Sequence, residues 1–143
     1  MLKDTEARMC APLSEDERFR LDLIACPAIH CPHLTENGEL NEDDEHLLRV
    51  KLRLIFQAAR KNGNDSLVLG AMGCGAWKNP PHHVATIMKQ EIDAIDGMFS
   101  DVVVACLQVD PGTYILRHHD REAAGGASNF DVFSEVFFAD HEE

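Results

Sequence analysis

Apolar positions along the chain fall into two repeats that separate helices from strands. Leu48, Leu52, Ile55 and Ala59 recur at three- and four-residue steps, and Val84, Met88, Ile92 and Ile95 do the same, the spacing of one buried helix face. The first stripe is preceded by Asn41 as a cap and by Glu42, Asp43, Asp44 and Glu45 against the positive end of the dipole; Arg60, Lys61 and Gly63 close it. The second follows Asn79, Pro80 and Pro81, a cap residue and then prolines that a first helical turn tolerates, and ends near Gly97. A last helix is predicted after Ser128 or Asn129, with Phe130, Phe133 and Phe137 on its core face. Between the helical segments, Ser66 to Gly70 reads as a short buried strand. The unbroken apolar run Val102 to Leu107, entered from Asp101, reads as a strand covered on both faces. Arg20 to Ala25 begins by alternating and ends apolar, which predicts a further strand, and Cys26 to Asn41, with Pro27, Pro32 and the pair Asn37-Gly38, predicts loop. Thr113 to Leu116 fits a strand or packed loop, and Arg117 to Ser128 a flexible segment.

The resulting order is β-α-β-α-β-α. Two strand–helix–strand units of this kind normally cross over right-handedly and set three strands parallel. The expected class is therefore α/β, a mostly parallel sheet flanked by helices, with ligands at the carboxyl ends of the strands. Residues 1–20 read as an N-terminal arm and residues 21–143 as one domain, which is what 143 residues permit.

Charge narrows the partners. Thirteen Lys and Arg stand against 25 Asp and Glu, a net charge of −12, which excludes nucleic-acid binding by general electrostatics. No apolar run approaches the roughly 18 residues of a membrane span, and the charged N-terminus does not resemble a secretory signal, so a cytoplasmic or nuclear setting is expected. Five cysteines, an odd number without framework spacing, read as free thiols.

The candidate chemistry lies in Gly70-Ala71-Met72-Gly73-Cys74-Gly75-Ala76-Trp77-Lys78-Asn79-Pro80-Pro81, between the second predicted strand and its helix. Three glycines in six residues allow positive φ and close backbone approach, and their amides, with those of the helix start, can form a nest for an anion. The spacing matches neither G-x-x-x-x-G-K-[ST] nor G-x-G-x-x-G. A glycine-rich turn needed only for strand–helix packing is the competing reading. Cys26, His30, Cys31 and His33 offer zinc-type ligands within eight residues, but no second cluster accompanies them, so an ordinary loop is preferred and neither metal nor cofactor is assigned. His118, His119 and Asp120 read as solvated loop. Cys74 near a helix start has the setting of an activated thiol, although its small size and backbone amide explain it more simply.

Residues 65–107 resemble the C-terminal half of a macrodomain, closest to the microbial type of poly(ADP-ribose) glycohydrolase. The resemblance is carried by Leu67-Val68-Leu69-Gly70-Ala71, Gly73-Cys74-Gly75, Asn79-Pro80-Pro81 and Val84-Ala85. Leu23-Ile24-Ala25-Cys26-Pro27-Ala28 and Asn129-Phe130-x-Val132-Phe133 extend it over residues 20–138. It implies a three-layer macrodomain-like fold in which Gly70, Gly73, Cys74, Gly75, Ala76 and Trp77 hold the diphosphate of ADP-ribose or a related nucleotide. Trp77 would pack on the distal ribose, and Asn79, Gln108 and Asp110 lie where weaker ligand contacts would fall. Met72 departs from the family's usual aromatic. The family's triple-glycine loop and paired glutamates are not found in this chain; Gly125-Gly126 lies too late, and Glu142-Glu143 stand at its end. The expectation is a truncated macrodomain that binds ADP-ribose without hydrolysing it. The alternatives are a structural or interaction module, as a monomer or a homo-oligomer, with a vestigial phosphate loop, and a residual ADP-ribosyl hydrolase.

Overall fold

A computed structural model describes residues 13–106 and 127–139. The predicted segment 113–116, the glycine-rich stretch before Ala127, the His118-His119-Asp120 cluster, Gln108, Asp110 and most of the N-terminal arm lie outside the described residues.

Among the described residues the architecture is mixed α/β: a two-stranded parallel sheet and three α-helices. Helix α1 spans Glu42–Lys61, strand β1 Ser66–Gly70, helix α2 Pro81–Asp93, strand β2 Asp101–Ala105 and helix α3 Asn129–Phe138. Before α1 there is one turn of 3-10 helix, Glu15–Glu17, and an isolated antiparallel bridge, Leu34 to Leu40, around the Asn37-Gly38 turn. No described helix is long and apolar enough to cross a membrane.

The caps follow side-chain chemistry with one exception. Asn41 accepts the Asp44 amide at 3.0 Å to open α1, and Gly63, at φ +83°, follows its end. Ser128 caps α3 in a reciprocal box with Asp131, which leaves Asn129 free for another contact. Helix α2 departs from expectation. Pro80 occupies its N-cap position without a side-chain hydrogen bond, because the Asn79 amide is drawn inward to other acceptors.

The two strands pair in register, Leu67 with Val102, Val68 with Val103 and Leu69 with Val104. Leu67, Leu69, Val102 and Val104 pack against a core built from Leu48, Leu52 and Phe56 of α1, Val84, Ile87 and Met88 of α2, and Phe133 of α3. Helix α2 contacts both α1 and α3.

Three expectations need correction. Arg20 to Ala25 forms no strand, so the described sheet has two strands rather than three. Neither strand is covered on both faces: Val68 is 72% and Val103 52% exposed on the outer side of the sheet. Phe130 is 41% exposed, because α3 directs Val132 and Phe133 at the core, with the Phe137 ring stacked on Phe133.

Candidate functional site

Parallel pairing of β1 and β2 brings both carboxyl ends to one end of the sheet, and the glycine loop leaves β1 there. The loop is folded on itself. The Cys74 amide donates to the Ala71 carbonyl at 3.2 Å, Gly75 to Gly73 at 2.8 Å, Lys78 to Gly75 at 2.8 Å and Asn79 to Gly73 at 3.0 Å. Only one of its three expected glycines uses the left-handed region: Gly73 has φ +73°, while Lys78 adopts φ +56° without being glycine. A Cβ on Gly73 would lie 2.8 Å from Asn79 Cγ and 2.9 Å from Ala28 Cβ, whereas Gly70 and Gly75 have open space there.

Asn79 is the brace. Its side chain is buried, and Nδ2 donates to the carbonyls of Ile29 at 2.6 Å, Gly73 at 3.3 Å and Trp77 at 3.3 Å. With the Cys31 amide on the Trp77 carbonyl at 2.9 Å, these bonds tie residues 28–31 to the loop. Lys51 Nζ adds a bond to the Pro27 carbonyl at 2.8 Å. From the other side, Asn129 Nδ2 donates to the Cys74 carbonyl. No local pattern signals the Lys51 or Asn129 contacts, which join residues far apart in the chain, and Asn79, expected to contact ligand, has its amide committed to the scaffold.

Between the two segments lies a shallow groove of about 420 Å³, lined by Cys26, Pro27, Ala28 and residues 71–77. Gly73, Cys74, Gly75, Ala76 and Trp77 all contribute to it, while Gly70 sits at the end of β1 behind it. The helix start does not line it, contrary to the expected shared nest. The lining contains no charged side chain, in a chain of net charge −12. Among the described residues the amides of Gly73, Ala76 and Trp77 donate to no acceptor, whereas those of Cys74 and Gly75 are already bonded. Of the five amides that the resemblance assigns to the diphosphate, three are therefore without a protein acceptor. Trp77 stands at the rim, part-exposed, in an edge-to-face contact with His30 at 5.8 Å between ring centroids.

Comparison with known proteins adds no relative. No family model, curated protein or solved structure matches the chain.

Two other chemistries fare differently from the groove. Cys74 is buried, and burial, with a smaller contribution from Cys106, pushes its thiol up to about 12, the reverse of what a nucleophile needs. Maleimide at neutral pH is expected to modify the exposed Cys31 of the folded protein and to spare Cys74, as peptide mapping would show; rapid labelling of Cys74 would contradict this burial. Of the zinc-type candidates, Cys31 Sγ lies 3.9 Å from His30 Nε2, but Cys26 faces the groove and no group of three or more His, Cys, Asp or Glu converges among the described residues.

Proposed function

We propose that this protein binds ADP-ribose or a related nucleoside diphosphate in the groove between residues 26–28 and 71–77. The observation that carries the reading is a groove free of charged side chains and lined by residues with three undonated amides. Phosphate oxygens accept from such amides without a basic side chain. The motif resemblance supplies the identity of the ligand, and the finer fold that goes with it is a three-layer, macrodomain-like arrangement. Trp77 at the rim offers an aromatic surface to the sugar. No acid is assigned for hydrolysis: the lining contains no carboxylate, and a glycosidic leaving group needs a positioned acid.

Calorimetric titration with ADP-ribose tests the reading, and the absence of heat at millimolar ligand with folded protein would overturn it. Gly75→Val provides the sharper comparison. A Cβ there meets no protein atom within 4 Å and the position requires no left-handed backbone, so the variant is expected to melt close to wild type yet bind at least about tenfold more weakly, or roughly 1.4 kcal/mol. Undiminished binding would remove the groove from the ligand's path.

The exposed outer sheet face, with Val68 beside Val103, favours a second reading as an interaction module that associates with a partner or with a second copy of the chain. Contiguous exposed apolar surface on a sheet invites a partner. Light scattering that gave a dimer mass, together with no response to ADP-ribose, would favour that alternative.

A further inference from the structure

Acidic residues avoid the groove. The chain carries 25 Asp and Glu, yet residues 23–35 and 66–90 contain none. These two stretches supply both walls, Cys26, Pro27 and Ala28 on one side and residues 71–77 on the other. The basic side chains nearby are differently engaged. Lys51 of α1 reaches the first wall but is bonded to the Pro27 carbonyl at 2.8 Å, and Lys89 of α2 pairs with Asp93 at 3.2 Å. Lys78, the residue after Trp77, is exposed and has no acid partner among the described residues.

Lys78 also stands where the backbone favours a different residue. Its φ of +56° lies in the left-handed region, which an L side chain resists and glycine does not. The conformation is imposed from both sides. The Lys78 amide donates to the Gly75 carbonyl at 2.8 Å, and the next amide, that of Asn79, donates to Gly73 at 3.0 Å. The Trp77 carbonyl just before it accepts from the Cys31 amide at 2.9 Å and from Asn79 Nδ2 at 3.3 Å. Strained positions persist where their surroundings over-determine them, and they cluster at ligand sites. Here the hydrogen bonds account for the backbone but not for the side chain, because a glycine would close the same turn with less strain. What lysine adds over glycine is a positive charge at the rim of a groove whose lining has none.

We propose that Lys78 is a ligand-contacting residue, whose ammonium group meets the diphosphate that the amides of Gly73, Ala76 and Trp77 receive. The proposal rests on the groove reading above and adds to it the cation that the lining lacks. Backbone amides fix the positions of phosphate oxygens, whereas lysine contributes a point charge on a flexible stem and imposes no geometry of its own. With no carboxylate in either wall, that charge stays uncompensated until an anion arrives. Elsewhere a chain of net charge −12 repels an anion, so the groove is where a diphosphate is drawn. The strained backbone at Lys78 is then the consequence of holding a charge there.

Strain kept for binding predicts effects of opposite sign on stability and affinity. Lys78→Gly is expected to raise the folded-to-unfolded ratio at least about twofold in urea denaturation, because relief of the left-handed strain outweighs the extra freedom of unfolded glycine. By calorimetry the same variant should bind ADP-ribose about tenfold more weakly. Lys78→Met keeps both strain and stem, so it should match wild type in urea, lose about the same tenfold in affinity and flatten the salt dependence of binding. Lys78→Arg should restore most of the affinity. Wild-type affinity in both Lys78→Gly and Lys78→Met would overturn the proposal and leave the nucleotide reading standing. Inorganic diphosphate separates the other failure. Wild type that binds it in a Lys78-dependent way but does not bind ADP-ribose would refute the nucleotide reading and uphold Lys78, and wild type that binds neither would refute both.

Discussion

Replacing Gly73 by alanine is expected to destabilise the protein by about 3 kcal/mol or more, the sum of a left-handed backbone position and an immovable clash. The added Cβ would stand 2.8 Å from Asn79 Cγ and 2.9 Å from Ala28 Cβ. Neither neighbour can yield cheaply. Asn79 is buried and held by the carbonyls of Ile29, Gly73 and Trp77, and moving it would strand a buried amide. Urea denaturation of Gly73→Ala beside Gly75→Ala makes the comparison, because the second substitution meets open space and should change stability by less than about 1 kcal/mol. Asn79→Ala combined with Gly73→Ala should cost less than the sum of the two, since one of the clashing groups is gone. Equal effects at Gly73 and Gly75 would mean that the loop relaxes freely and that the brace carries no weight. The same contrast governs any binding study. Loss of binding in a Gly73 variant reports the loop's fold, whereas loss in Gly75→Val reports the ligand's path.

Much of this arrangement is legible in the sequence, and what is not has physical causes. The caps at Asn41 and Ser128, the turn at Gly38 and the stop at Gly63 were readable because each depends on a local side chain or a left-handed backbone. The strands β1 and β2 were readable from their apolar runs. Their coverage was not, since Val68 and Val103 are as apolar as the neighbours that pack inward, and nothing local distinguishes the two faces. Arg20 to Ala25 begins with the alternation of a strand but forms none, because a strand exists only if its ladder forms, which is a tertiary event. The groove was found through its glycines, while its walls were held by side chains with no motif. Asn79 looked like a helix cap because it precedes two prolines; it turns inward because three carbonyls converge on its amide. Glycine content likewise overstated the backbone's needs, because Gly73 alone of the three in the groove motif takes positive φ and Lys78 takes it too.

Glu91 is the residue that hydrophobic periodicity concealed, and it carries the second large expected effect. It falls on the buried face of α2, among Val84, Ile87 and Met88, and is only 4% exposed. Two arginines one turn apart on α1 hold it. Arg53 Nε reaches Oε2 at 2.7 Å and Nη2 reaches Oε1 at 2.9 Å, a two-pronged pairing, while Arg49 Nη1 adds 3.1 Å to Oε1. Arg49 also binds Glu45 at 2.7 Å and Gln90 at 2.7 Å, so the cluster fastens α1 to α2. Glu91→Ala would leave Arg49 part-buried without its main cross-helix partner and is expected to cost about 2–4 kcal/mol, which lowers Tm by on the order of 10 °C in a domain of this size. The hydrogen bonds of Arg53, and then those of Arg49 against the opposing effect of burial, hold the Glu91 carboxyl below its ordinary value of 4.5. A carboxyl lowered in the folded state binds its proton more readily when unfolded, so its stabilisation is complete above pH 4.5 and is lost as pH falls through the folded-state value. Glu91→Gln removes that titration while keeping the side chain's shape. The stability gap between wild type and Glu91→Gln should therefore be widest near pH 7 and shrink steadily below pH 4.5, measured by urea denaturation at each pH. The lowered carboxyls of Asp16, Glu17 and Asp131 are present in both proteins and cancel in the difference. A gap that stayed constant down to pH 3 would show that Glu91 contributes packing and hydrogen bonds but no charge, and the ion-pair account of the α1–α2 joint would fail.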